Sequence, residues 1–557
     1  HCSTVQRFWR SPAIADKPGL TAVELFDAVA KGEIKALWIM ATNPVDSMPN
    51  ADQVERAIAT CPFVVVSDVT SASDTVDKAH IALPAQPFGE KDGTVSNSER
   101  RVSRMRRFCK AQGESRPDWW AICEVARRMG HEDAFRYASA AEIFREYATL
   151  SGFENAGSRD FDISAYATLT DDQYDAMQPF QWPKPEGAAL SPPAEGTASA
   201  LKPVRFFARG RFYTPDGKAN MLAAGAGVIP RSQSLPESEQ TLNTGRIRDQ
   251  WHTMTRTGYS SRLMSHYAEP FVELNPGLAE RQGISTGDIV KVGSARGHVL
   301  LRASVSDRQR PSDVFVPMHW NRKFASRARI DAVVDDRVDP FSRQPAFKNQ
   351  LVSVTRFPAN SYAYVLSHAR FDVANCHGIE YWATAPVSGG WQMELAGSAS
   401  PKVMLDTVVS HLMLEQAAER SSLRSVEYSN AQGHDHRIAF FINEQLAATV
   451  FVTREPVALS RSWAALLFNE TDGSLTSRWR LLAGRPGNDV PEKGAIVCSC
   501  MMVGASEIQT AIVDRRCETV DAVGCCTGAG TQCGSCRNEL LRMIKHSQSE
   551  ALKAELA

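Results

Sequence analysis

Four thiols near the C-terminus restrict this chain more than any other stretch. Cys498-Ser499-Cys500 is followed by 32 residues and then by Cys533-Gly534-Ser535-Cys536. Each pair brings two sulfurs to one place, and four sulfurs in a tetrahedral array hold zinc or iron–sulfur. Structural zinc sites commonly use two Cys-x-x-Cys pairs about 15–20 residues apart. Here the first pair is tighter and the gap longer. Ser506-Glu507-Ile508-Gln509 reads as a capping box that opens a helix to about Arg515, and residues 537–544 read as a second amphipathic helix. Both pairs are therefore expected just before helix N-termini, where unpaired N–H groups and the positive dipole end favour an anionic thiolate site. The Gly-rich residues 527–532 would let backbone N–H groups approach sulfur.

Of the 12 cysteines, seven follow Val497; Cys2, Cys61, Cys109, Cys123 and Cys376 stand singly. That is reduced, intracellular usage rather than a disulfide framework, and a cytoplasmic protein is expected. Cys517, Cys525 and Cys526 fall off the four-thiol spacing and read as packing thiols. The 557 residues have room for three or four domains. A net charge of −1 gives no electrostatic case for nucleic acid or an acidic membrane surface. No apolar run approaches the roughly 18 residues of a membrane span. Neither nucleic acid nor membrane is expected as a partner. The chain opens on His1-Cys2-Ser3-Thr4, with neither methionine nor signal, and is expected to lack its true N-terminus.

Residues 1–160 alternate strand and helix. Short apolar runs at 36–41, 63–66 and 81–84, with helical periodicity over 51–60, imply a parallel sheet with helical crossovers. Asn43, Ser67 and Asp68 then fall at strand C-terminal ends, where an open parallel sheet binds ligands; the same residue types also simply start turns. Residues 89–101 fit neither period and read as a long polar loop with glycines and bases suited to a phosphate-bearing ligand, or as a solvated surface loop. Prolines and glycines in 161–200 mark a linker. From 201 to 356, short strands separated by glycine turns indicate a β-barrel. Ahead of most of them, Thr244-Gly245-Arg246-Ile247-Arg248-Asp249-Gln250-Trp251-His252-Thr253 offers two guanidinia, hydroxyls, an indole and an imidazole, an inventory able to grip a diphosphate and a heteroaromatic ring. Residues 357–490 read as mixed α+β, with a helix over 403–418 and a hairpin around Asn443. His434-Asp435-His436 there could bind a metal but reads as a polar loop. Residues 491–557 form the small helical thiol domain.

The cysteine pattern with its 32-residue gap resembles the [2Fe-2S] domain of bacterioferritin-associated ferredoxins, over about residues 493–545. The motifs Ala41-Thr42-Asn43-Pro44, Gly89-Glu90-Lys91-Asp92-Gly93-Thr94 with Asn97-Ser98-Glu99-Arg100-Arg101, and Thr244-Gly245-Arg246 through Trp251-His252-Thr253 together resemble the C-terminal part of a molybdopterin oxidoreductase. With a [2Fe-2S] domain behind them, they are similar to the bacterial assimilatory nitrate reductase group. The resemblance implies a bis(molybdopterin guanine dinucleotide) cofactor carrying molybdenum. Asn43, Ser67, Asp68, Lys91 and Asp118 would bind it from the first domain; residues 244–253 and Lys348 would bind it from a six-stranded double-psi barrel. Cys498, Cys500, Cys533 and Cys536 would hold the [2Fe-2S] cluster. Relatives often carry an asparagine contacting the pterin after His319-Trp320; the nearest match here is Asp331, whose charge would oppose a phosphate.

The family also places a [4Fe-4S] cluster and the molybdenum ligand ahead of the region seen here, so no catalytic ligand is expected in this chain. The implied activity is reduction of nitrate to nitrite in nitrogen assimilation, with the [2Fe-2S] domain taking electrons from a reductase subunit or a ferredoxin or flavodoxin. Another molybdopterin oxidoreductase, such as a formate dehydrogenase, and a non-catalytic [2Fe-2S] electron-transfer protein are the alternatives.

Overall fold

The computed structural model describes residues 1–190, 205–208, 210–221, 239–374, 376–412, 423–466, 468, 475–484 and 493–556. They form two compact units, one of residues 1–42, 59–71 and 76–230, the other of residues 43–58, 72–75 and 231–557.

In the first unit, β1 (Ala36–Met40), β2 (Phe63–Asp68) and β3 (Ile81–Pro84) pair in parallel. Leu37, Ile39, Val64 and Val66 are buried on alternate positions, while Phe63 and Ile81 are exposed. Ser67 and Asp68 end β2 as the sequence implies. The polar stretch after Gly89 differs from the expected loop. It folds into a hairpin of β4 (Gly93–Ser96) and β5 (Arg101–Met105), joined by a short edge strand β6 (Phe180–Gln181). The Asn97 side chain closes the turn by accepting from the Glu99 and Arg101 amides, each at 3.0 Å. Its charged residues hid the period, because Arg104 is buried along its stem and paired with Asp92 and Asp175.

The expected linker is also packed over its first part. Ile163, Tyr166, Leu169, Tyr174, Met177 and Phe180 form one core with Phe144 and Ala148 of the helix Ala140–Gly152. Tyr166 stacks on Phe180 at 3.9 Å. Aromatic residues spaced irregularly between prolines carry no period, yet they supply the apolar area. Residues 191–200 of that linker lie outside the described residues.

In the second unit, β7 (Gln240–Gly245), β8 (Phe271–Leu274), β9 (Ile289–Gly293), β10 (His298–Val305), β11 (Asp313–Pro317) and β12 (Lys348–Arg356) close into a six-stranded barrel in the order β10-β8-β11-β7-β12-β9. The β10–β8 and β11–β7 pairs are parallel and the rest antiparallel. Leu242, Val272, Val292, Val299 and Val316 fill its interior. The Asn275 side chain caps the short helix Pro276–Arg281, and Gly283 ends it at φ 60°.

A six-stranded antiparallel sheet follows: β13 (Ser361–Ser367), β14 (Tyr381–Val387), β15 (Gly390–Gly397), β16 (Leu423–Ser429), β17 (Asp435–Ile442) and β18 (Gln445–Thr453), in the order β14-β15-β13-β18-β17-β16. The helix Pro401–His411 covers it, capped by Ser400; the remaining expected helical residues 413–418 lie outside the described ones. Buried Glu394 of β15 pairs with Arg302 of the barrel and with Arg461. In the His-Asp-His stretch, Asp435 pairs with Arg437 at 2.8 Å and buried His436 bonds Ser429 Oγ at 2.9 Å. Asp435 and His436 open β17, so they are strand residues and not the expected polar loop.

The thiol domain comprises β19 (Ile496–Cys498), β20 (Val503–Gly504) and the helices Ala505–Val513, Val520–Thr527 and Arg537–Leu556. Its first helix is capped two residues earlier than the sequence suggests, at Gly504 rather than Ser506. Glu507 accepts from the Gly504 amide at 2.9 Å, while Ser506 lies inside the helix. Among the described residues no helix is long and apolar enough to cross a membrane.

Candidate functional site

The chain brings the two cysteine pairs together in different ways. Cys536 directly precedes the helix Arg537–Leu556, as expected, but Cys498 ends β19 and Cys500 sits in the turn to β20, away from a helix start. Cys500 Sγ lies 3.7 Å from Cys498 Sγ and 3.4 Å from Cys533 Sγ. Burial opposes ionisation of Cys498, yet backbone hydrogen bonds from Gly530 and Met501 hold its thiol below the ordinary value. Gly530 achieves this approach at φ 78°, a conformation that favours glycine. Burial and the neighbouring Cys498 push Cys536 up to about 12, against the pull of the Arg248 guanidinium. Hydrogen bonds from Ser535 lower Cys533 against the push of Asp249. Cys498 and Cys536 are buried and Cys533 is exposed, so one edge of the group faces solvent. Off the spacing, Cys517 and Cys526 touch each other at 3.2 Å.

In the first unit, Ser67 and Asp118 line a cavity of about 270 Å³ beyond the C-terminal ends of β2 and β3, with Pro84, Arg116, Trp120 and Glu124. Asp118 opens the helix Asp118–Arg128. Lys91 Nζ donates to its Oδ2 at 3.1 Å, while its buried Oδ1 has no hydrogen-bond partner among the described residues. Ser67 Oγ accepts from the Trp38 indole at 2.9 Å. Asp68 Oδ1 accepts from the next amide, Val69 N, at 2.6 Å. A cavity at a parallel sheet's C-terminal edge with one unsatisfied carboxylate oxygen suits a heteroaromatic ring bearing N–H donors.

In the second unit, the loop leaving β7 is braced from below. His319, fully buried, accepts from the Ile247 amide through Nε2 at 3.0 Å, which leaves Nδ1 to donate to the His252 carbonyl at 2.6 Å. Burial holds its imidazole below 6.5 and hence neutral, although the His252 carbonyl bond works the other way. Asn43 Nδ2 donates to Thr253 Oγ1 at 3.0 Å and its Oδ1 accepts from Thr75 at 2.6 Å. Asn43 and Thr253 are thus brought together. Lys348 Nζ donates to the Thr244 carbonyl. Arg246 and Trp251 are exposed, and Arg246 has no hydrogen-bond partner among the described residues. A Cβ at Gly245 would meet the Phe315 ring at 2.8 Å, so the backbone there runs close against its neighbour.

Sequence reasoning passed over His319 and Asn321. Asn321 immediately follows Trp320, is buried, and donates to the Thr253 carbonyl. It is the amide that meets this loop, and the adjacency of His319-Trp320-Asn321 was the available signal. Asp331 is fully buried beside Arg329; burial pushes it up to about 8 even though Arg329 pulls it down. It is therefore largely protonated at neutral pH, which corrects the expectation of an anion there.

Three regions of the chain match known families. Residues 5–128 match the molybdopterin oxidoreductase family, residues 241–351 the molydopterin dinucleotide binding domain, and residues 496–546 the BFD-like [2Fe-2S] binding domain. Two of these three regions match domains of the molybdopterin oxidoreductases. It is similar to a nitrate reductase of Klebsiella oxytoca, 36% identical over 98% of this chain and 59% of that protein. A nitrate reductase of Shewanella frigidimarina is 40% identical over 62% of this chain and 38% of that protein. The assimilatory nitrate reductase catalytic subunit of Bacillus subtilis is 31% identical over 60% and 43%. The chain thus spans 38–59% of the length of these relatives. The chain carries binding domains for bis(molybdopterin guanine dinucleotide) with molybdenum and for a [2Fe-2S] cluster. The geometry fits both groups. The thiols converge with backbone donors aimed at sulfur, and the orphaned Asp118 oxygen, the unpaired Arg246 and the exposed Trp251 ring are the kinds of partner a dinucleotide needs.

Acidification is expected to loosen the loop that His319 braces. A base whose folded value lies below its unfolded 6.5 supplies stability that is complete above pH 6.5 and is lost as pH falls below it. Hydrogen-exchange protection of the Ile247 amide, measured relative to the barrel strands, should fall below pH 6.5 in the parent and lose that pH dependence in His319→Gln.

Proposed function

We propose that this chain serves in reduction of nitrate to nitrite for nitrogen assimilation in the cytoplasm. The observation that carries the reading is the convergence of Cys498, Cys500 and Cys533 at 3.4–3.7 Å, with Cys536 against Cys498, in a chain that is similar to a nitrate reductase over 98% of its length. When bound, the molybdenum–pterin group supplies two-electron oxygen-atom transfer.

This chain's own residues bind and orient. Ser67, Asp68, Lys91 and Asp118 hold one part of the dinucleotide cofactor from the first unit, with Asp118 Oδ1 accepting from a guanine edge and Lys91 neutralising phosphate. Asn43, the loop Thr244, Gly245, Arg246, Trp251, His252 and Thr253, and Lys348 hold the part bound by the barrel, which we read as the double-psi type. Arg246 offers a bidentate fork to phosphate. Cys498, Cys500, Cys533 and Cys536 ligate the [2Fe-2S] cluster. The exposed edge at Cys533 receives electrons from a reductase subunit or a ferredoxin or flavodoxin. The domains we assign are residues 1–160, 201–356, 357–490 and 491–557.

The test uses the full gene product, purified anaerobically from a host that makes the pterin dinucleotide. About two cluster irons per thiol domain together with molybdenum are expected, and nitrate should reoxidise the dithionite-reduced cluster. Iron without molybdenum would favour a plain electron-transfer protein. Reduction of the cluster by formate would favour a formate dehydrogenase.

A further inference from the structure

The loop that would grip the dinucleotide also bonds the thiol domain directly. Arg248 donates to the Val497 carbonyl, the peptide unit that leads into Cys498, and to Glu539 Oε2 through Nε at 3.2 Å and Nη2 at 2.8 Å. Asp249 Oδ2 accepts from Ser499 Oγ at 3.0 Å. Ser499 is the residue between Cys498 and Cys500. The His266 ring backs both residues, with Nε2 at 3.0 Å from Arg248 and Nδ1 at 3.3 Å from Asp249.

These are not loose surface contacts. The Arg248 side chain is 18% exposed, Asp249 8% and His266 7%. At such burial a unit charge acts over several ångströms with little screening.

We propose that Arg248 and Asp249 are positioning residues that dock the iron–sulfur domain on the dinucleotide-binding loop and bias its cluster in opposite directions. The inference rests on the reading that the four cysteines hold a [2Fe-2S] cluster. The reduced cluster carries one more negative charge than the oxidised one. A fixed carboxylate beside it opposes reduction, and a fixed guanidinium favours reduction. The hydrogen bonds to Val497 and Ser499 hold both charges in register with the first cysteine pair. The balance of the two then sets how readily the cluster takes one electron and gives it up.

The variants separate charge from shape. Asp249→Asn keeps an oxygen to accept from Ser499 but removes the charge; Arg248→Gln removes the opposite charge; Arg248→Lys keeps the charge and loses the fork. In an EPR-monitored redox titration of the full gene product, Asp249→Asn is expected to favour the reduced cluster about tenfold, an upward shift of about 59 mV for one electron. Arg248→Gln is expected to shift it downward by a similar factor, and Arg248→Lys to restore most of the parent potential. A role confined to packing would not give shifts of opposite sign. Unchanged potentials, or shifts in the same direction, overturn the proposal. If instead a Cys533→Ser protein keeps its iron and spectrum, the ligand reading is what fails; potentials that stay fixed while that protein loses its cluster overturn this inference alone.

Discussion

Cys533→Ser is expected to abolish the visible absorption of the [2Fe-2S] centre and to strip iron from the thiol domain. Cys533 Sγ lies 3.4 Å from Cys500 Sγ and on the exposed edge of the group. A serine oxygen is a harder donor than a thiolate and seldom replaces it at iron–sulfur. The domain's own core of Ile508, Val523, Leu540 and Ile544 does not involve Cys533, so the helices should survive in far-UV circular dichroism while the colour is lost. Cys525→Ser, exposed and off the spacing, is the control and should leave the spectrum intact. Iron content and spectrum unchanged in Cys533→Ser would refute the ligand assignment, and so would zinc in anaerobically purified parent protein.

The features legible in the sequence were those with a short period or a fixed spacing. The runs that became β1 to β3 stand out as short apolar stretches closed by turn residues, although only Leu37, Ile39, Val64 and Val66 on them are buried apolar positions. The barrel strands announce themselves through β-branched residues between glycine turns, and the cysteine pairs through spacing alone. What the sequence hid depends on long-range partners. The β4–β5 hairpin looks like a polar loop because Arg104 is buried against Asp92 and Asp175, the latter 71 residues away in the chain. The packed stretch at 163–180 looks like a linker because its aromatics carry no period. Helix-start reasoning placed the first cysteine pair wrongly, because a two-strand turn also presents backbone N–H groups to sulfur, as Met501 does for Cys498. At the loop after β7, the types of residue were readable, but the brace beneath them was not. His319 contributes only through two ring nitrogens, and nothing in its neighbours signals which carbonyl it will meet.

The same limit explains Asp331, where a substitution is expected to stabilise the second unit. Asp331 lies fully buried, and its Oδ1 has no partner among the described residues. Burial is the dominant cause of its upward shift to about 8, with Arg329 opposing. A folded value above the unfolded 3.8 means that its contribution is intact below pH 3.8, declines as pH rises, and levels off only above about 8. Each pH unit in that window costs about 1.4 kcal/mol. Discounted for relaxation, the cost at neutral pH is roughly 2–4 kcal/mol. Asp331→Asn keeps the volume and cannot ionise. Hydrogen exchange of the barrel strands, or denaturant unfolding of the second unit, should show the variant equal to the parent near pH 4 and progressively more stable toward pH 8. Identical pH slopes in variant and parent would mean that Asp331 finds a compensating partner, with Arg329 outweighing burial.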